Sequence, residues 1–174
     1  MSGEQVRPPT PSMRLLYLDF DGVLHPADVW LGSDGRMRLG QGGDGHALFE
    51  HAQCLADLLA PHDDVMVVLS TSWVSGLGFD QALAQLPAAL SQKVIGATFD
   101  PARHGKGFGD VARGYQVQAD ALRRQLRDWV ALDDDARDWP EEDIERLIRT
   151  DPMLGLNTLT TLSRLRSWLA RKPP

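Results

Sequence analysis

Two aspartates, Asp19 and Asp21, stand near the end of the segment LLYLDFDGVLHP with only Phe20 between them, and Gly22 follows at once. The apolar run Leu15, Leu16, Tyr17, Leu18 leads up to them. Two carboxylates in one cleft repel each other, and burial makes each charge costlier. A divalent cation offsets that repulsion; magnesium takes carboxylate, carbonyl and phosphate oxygens and keeps several waters. Later, VALDDD places Asp133, Asp134 and Asp135 after another apolar run, so further acids could complete such a site. Between the two, VVLSTSW ends a run with the hydroxyls of Ser70, Thr71 and Ser72. A metal, a hydroxyl donor and a basic side chain together suit a phosphoryl group. A carboxylate not fully engaged by the metal can then act as nucleophile.

These residues meet only if strand ends bring them together. The continuous apolar runs at Arg14–Leu18, 65–69 and 129–132 read as buried parallel strands. Further strands are predicted at 93–99 and in RLIRTD. The segment 29–39 reads as a hairpin turning at Ser33, Asp34 and Gly35. Helices are predicted at 45–60, capped by Asp44, at 79–90, interrupted near Pro87, and at 117–129, with Leu122 and Leu126 inward. A closing helix in NTLTTLSRLRSWLA takes Asn157 or Thr158 as its cap. TSWVSGLG and the glycine-rich, basic DPARHGKGFGDVARGYQ read as loops, the second lying over a site. This alternation predicts an α/β three-layer sandwich: a mostly parallel, Rossmann-like sheet, helices on both faces and a small β-hairpin flap. In such sheets ligands bind beyond the carboxyl ends of the strands, where the acids and hydroxyls fall.

A chain of 174 residues suits one domain with a real core, predicted over 13–174 behind a disordered leader, 1–12, containing Pro8, Pro9 and Pro11. A net charge of −6 argues against a generic polyanion-binding surface but leaves room for a local basic patch. The single cysteine, Cys54, excludes an internal disulfide and reads as a core thiol beside Leu55, Leu58 and Leu59. No apolar stretch reaches membrane-spanning length, and the first residues hold no signal core, so a cytoplasmic protein with no membrane partner is expected.

DFDGVL, VVLSTSW and VALDDD, in that order and each after a buried strand, resemble the first, second and fourth motifs of the haloacid dehalogenase-like (HAD) superfamily of phosphohydrolases. The resemblance runs from about Arg14 to the closing helix. In overall length and in STSW the chain is similar to the small, nearly capless HAD domains of some RNA-repair proteins. The resemblance implies a magnesium-dependent phosphomonoester hydrolase acting through an aspartyl-phosphate. Asp19 would attack phosphorus; Asp21 would protonate the leaving oxygen, then activate water, and offer its backbone carbonyl to the metal. Ser70, with Thr71 beside it, would bind the phosphoryl group. The metal set would be Asp19, Asp21 and Asp134, with Asp133 in support. The third motif needs a basic residue: Lys106, on a glycine-flanked loop, is the first choice, Arg113 the second, and Arg103 and Arg123 follow.

Duller readings compete. An Asp-x-Asp-Gly stretch alone is as readily a turn. His25 reads as structural, His46, His51, His62 and His104 show no ligand spacing, and Trp129, Trp139 and Trp168 read as packing; Trp73, beside the second motif, is the exception. The alternative functions are a receiver-like module or a catalytically inactive phosphate-binding regulatory module. A receiver has its adjacent acids after the first strand, whereas here they come late. A dehalogenase has no use for the second aspartate, Asp21. Neither interval between motifs has room for an independent cap, so the site should stay open. The expected partner is then an exposed phosphate on a large substrate, such as a nucleic-acid end, contacted by Arg103, Lys106 and Arg113.

Overall fold

The computed structural model describes residues 13–171; the predicted leader lies outside them. Five parallel strands form the sheet: β1 (Arg14–Leu18), β4 (Val65–Leu69), β5 (Val94–Ala97), β6 (Trp129–Asp133) and β7 (Leu147–Arg149), in the order β5-β4-β1-β6-β7. A separate antiparallel hairpin pairs β2 (Val29–Leu31) with β3 (Met37–Leu39). The α/β fold expected from the alternation, hairpin included, is the one observed.

Alternation along β1 supplies both faces of the core. Leu16 and Leu18 join Val65, Val67, Leu69, Val130 and Leu132 beneath α1 (Ala52–Leu59), α2 (Ser72–Leu77), α3 (Phe79–Leu83), α4 (Ala88–Ser91) and α6 (Leu159–Leu169). Leu15 and Tyr17 face the other way, toward Val117 and Ala121 of α5 (Arg113–Arg123) and toward Trp139. The strand order explains the division. From β1 the chain moves outward to β4 and β5, then crosses to β6 on the opposite side of β1. Right-handed crossovers in opposite directions put their helices on opposite faces. The reversal occurs at β1, so the ends of β1, β4 and β6 flank the crevice where such sheets bind ligands. Among the described residues no helix is long and apolar enough to cross a membrane.

Several local expectations change. Helix α1 begins at Ala52 rather than near 45, because Phe49 takes a left-handed φ of 60°, which breaks a continuous helix, and its amide donates to His25 Nδ1. Cys54 is exposed, not a core thiol. Ala52, Leu55, Ala56 and Leu59 form the buried stripe, and a residue two positions after Ala52 points nearly opposite to it. TSWVSGLG is largely helical: the Thr71 side chain accepts from the Trp73 amide and starts α2. The predicted 79–90 helix is two helices, α3 and α4, divided ahead of Pro87. Leu122 faces solvent, while Val117 and Ala121 carry the inward face. Thr158, not Asn157, caps α6 through the Thr161 amide at 3.1 Å. Trp129, Trp139 and Trp168 are buried packing residues.

Candidate active site

Asp19 continues β1 by one residue; its amide donates to the Leu132 carbonyl at 3.1 Å. Its side chain is buried, and Oδ1 accepts from the Phe20 amide at 2.7 Å. The next residues turn tightly: the Gly22 amide donates to His25 O at 2.9 Å, and Thr150 Oγ1 donates to Gly22 O at 2.6 Å. Gly22 has φ +71°, and a Cβ there would meet Asp134 Oδ2 at 2.6 Å. The missing side chain is what lets the Asp134 carboxylate reach the first motif. Gly22→Ala is expected to lower the melting temperature by at least about 2–4 °C, the left-handed strain alone being about 1–2 kcal/mol, and to push Asp134 aside. Thermal denaturation and a magnesium titration check this; wild-type values in both would refute it.

Beyond β4, the Ser70 amide donates to Leu18 O at 2.8 Å, which brings Ser70 level with Asp19. Ser70 Oγ is buried with no hydrogen-bond partner among the described residues. At the end of β6, Asp133 is buried; its Oδ1 accepts from the Asp135 amide at 2.9 Å, while Oδ2 is buried and without a hydrogen-bond partner among the described residues. Asp135 itself is drawn outward into an ion pair with Arg137 at 2.7 Å.

The basic residue facing these acids is Arg113, not Lys106. Helix α5 starts at Arg113, four residues before the predicted start, and Gly114 lies tight against Trp139, where a Cβ would stand 2.8 Å from the ring. Arg113 then reaches Asp19 Oδ2 at 3.7 Å and Asp133 Oδ2 at 3.6 Å and donates to the Ser70 carbonyl. Lys106 lies exposed in a 3-10 turn, Lys106–Asp110, and makes no ion pair among the described residues. Arg103 pairs with Asp100, and Arg123 with Asp120.

Asp21 is only half-buried, and its Oδ1 accepts from Trp73 Nε1 at 2.8 Å and contacts His25 Nε2 at 3.0 Å. Neither partner was assigned a site role from sequence; only the position of Trp73 beside the second motif marked it out.

The electrostatics follow from this geometry. Burial pushes the Asp19 carboxyl above its ordinary range; Arg113 opposes the rise and Asp21 adds to it. Burial pushes Asp133 up as well, with Asp19 reinforcing and Arg113 opposing. Asp134 is raised by burial, with Asp135 and Asp21 adding. Burial works against the Arg113 charge, yet Asp19, Asp133 and Asp21 hold its pKa above the ordinary arginine value. Carboxylate oxygens of Asp19, Asp133 and Asp134 all lie within 4.8 Å of one another, a group that could hold a metal ion. Asp133 Oδ2, buried with no hydrogen bond among the described residues, fits that use, because a buried carboxylate oxygen otherwise keeps a hydrogen-bond donor. One guanidinium against several carboxylates leaves the crevice short of positive charge.

No curated protein and no solved structure matches the chain. Residues 15–160, from the start of β1 into α6, match the HAD domain found in Swiss Army Knife RNA repair proteins, and the chain belongs to that family.

Proposed function

We propose that this protein is a magnesium-dependent phosphomonoester hydrolase that works through an aspartyl-phosphate and acts on a phosphate at a nucleic-acid end. The observation that carries the reading is the group formed by Asp19, Asp133, Asp134 and Arg113 at the reversal point of the sheet. Family membership supports a phosphoryl chemistry and an RNA-related substrate.

Asp19 Oδ2, the oxygen not engaged by the Phe20 amide, forms the new bond to phosphorus as the bond to the leaving oxygen breaks. Asp21 gives its proton to that oxygen, then takes one from the water that attacks the phosphorus and frees Asp19. Ser70 Oγ, which lacks a hydrogen-bond partner among the described residues, donates to a phosphoryl oxygen, and Arg113 balances the charge that builds there. Asp19, Asp133 and Asp134, with the Asp21 carbonyl, would hold magnesium, which would supply neutralisation of the phosphoryl oxygens.

The described parts of 22–64 and 73–112 hold the hairpin and short helices and no separate cap, which favours a bulky substrate. The test compares kcat/KM for an end-phosphorylated oligonucleotide and for a sugar phosphate, with magnesium and with chelator. Magnesium-dependent release favouring the oligonucleotide is expected. No release from any phosphomonoester would overturn the hydrolase reading, and a preference for the sugar phosphate would overturn the substrate.

The two acids after β6 should differ. Asp134 has no side-chain hydrogen bond among the described residues, whereas Asp133 already accepts from Asp135. Asp134→Asn is therefore expected to weaken magnesium binding more than Asp133→Asn does, as read by metal titration of both variants. Asp133→Asn should also raise the metal-free melting temperature. The folded-state pKa of Asp133 lies above the unfolded value, so its ionised form opposes folding as pH rises through that folded value. A stabilisation of about 1 kcal/mol is worth about 2–4 °C in a chain of this size. The reverse metal ranking, or a lower metal-free midpoint, would contradict these assignments.

A further inference from the structure

The two donors on Asp21 converge on one oxygen. Trp73 Nε1 reaches Oδ1 at 2.8 Å, and His25 Nε2 reaches the same Oδ1 at 3.0 Å. An indole N–H can only donate. For His25 the roles follow from the other side of the ring: the Phe49 amide points at Nδ1 at 3.1 Å. A backbone N–H can only donate, so Nδ1 accepts, and the ring proton sits on Nε2, directed at Asp21. Oδ1 thus takes two N–H donors, while Oδ2 has no side-chain partner among the described residues.

The surroundings hold this arrangement rigid. His25 is fully buried, and Trp73 nearly so. The rings of Phe20, His25, Phe49 and Trp73 meet at centroid distances of 4.8 to 5.8 Å, mostly edge to face. Phe49 adopts its φ of 60° to offer both its ring and its amide to His25. A left-handed backbone at a bulky residue persists only where its surroundings impose it. Packing alone would ask that the buried N–H groups find some acceptor. It would not ask that both find the same oxygen of the carboxylate beside the phosphoryl crevice.

We propose that His25 and Trp73 are positioning residues that clamp Asp21 Oδ1, leaving Oδ2 as the single oxygen that passes the proton to the leaving group and takes it from water. The proton's destination rests on the hydrolase reading above; the clamp does not. An aspartate free to rotate would present either oxygen and lose alignment with the leaving group. Misplacement of about 1 Å at a reacting group can cost about 10²-fold.

The test has two arms on the full chain. Nitrogen-15 NMR of the wild type reads the clamp without any substrate. The neutral Nε2–H tautomer is expected at His25, with a Trp73 indole N–H signal that moves in Asp21→Asn. An Nδ1–H tautomer, or an indole signal indifferent to that substitution, overturns the clamp. Steady-state kinetics read its consequence. Trp73→Phe keeps an aromatic ring and removes the N–H; kcat on an alkyl phosphate should fall about 10–100-fold with KM within about twofold of wild type. With 4-nitrophenyl phosphate the fall should be small, because that leaving group needs little protonation. His25→Gln, which keeps a side-chain N–H donor, should retain far more turnover than His25→Leu. Equal losses on both substrates, or equal losses in both His25 variants, overturn the positioning role. If the wild type hydrolyses no phosphomonoester, the hydrolase reading falls, and the NMR arm still decides the clamp.

Discussion

An Asp19→Asn variant is expected to fold and to release no phosphate above background. The loss should be about 10⁴-fold or more in kcat, the scale reached when a nucleophile is removed from a unit that acts together. The fold should survive because the amide oxygen of asparagine can still accept from the Phe20 amide, the bond that Asp19 Oδ1 makes. Burial already disfavours the charge at this position, so its removal leaves β1 no worse packed. Single-turnover assays with an end-phosphorylated oligonucleotide, alongside circular dichroism, decide the matter. A folded Asp19→Asn protein with near wild-type turnover would refute the covalent mechanism.

The second large effect is expected at Arg113. Replacing it with alanine removes the guanidinium beside Asp19 and Asp133 and the donor to the Ser70 carbonyl. Loss of one such preorganised group from a water-poor site costs about 10²–10³-fold in kcat. Lys106→Ala should stay within about threefold of wild type in kcat, because exposed single charges contribute little to an interaction energy. Arg113→Lys should recover only part of the loss, since an ammonium cannot span Asp19, Asp133 and the Ser70 carbonyl as a planar fork does. Measuring kcat and KM for the three variants tests the assignment. If Lys106→Ala is the worse enzyme, the 3-10 turn at Lys106–Asp110 must close onto the crevice in the presence of substrate.

Much of the architecture was legible along the chain because its causes are local. Leu15 to Leu18, Val65 to Leu69 and Trp129 to Leu132 are short apolar runs without helical period, and all three form parallel strands. Asp19, Ser70 and Asp133 follow those strands in sequence, so topology alone puts them at one edge of the sheet. The cation beside the acids was local in appearance and tertiary in cause. The basic stretch leading into α5 put Lys106 first, for its glycine-flanked loop, and Arg113 second. Helix propensity could not choose between them, because Arg113 lies beside the acids through the packing of α5, where Gly114 sits tight against Trp139, some 25 residues later.

The strand ends and the residue types on them were readable along the chain, since residue order and the period of burial settle which side chains leave a strand at its carboxyl end. Which cation faces the acids, and what holds Asp21, depends on contacts made across the fold. Arg113 meets Asp19 and Asp133 across the fold, Gly114 meets Trp139, and Trp73 and Phe49 meet the Asp21–His25 turn. Such contacts join segments tens of residues apart, and a one-dimensional pattern carries no term for the distance between them. Gly22 belongs to both kinds. Its turn was legible as Asp-Gly, but the reason it must lack a side chain is the Asp134 carboxylate, which the crossover to β6 brings against it.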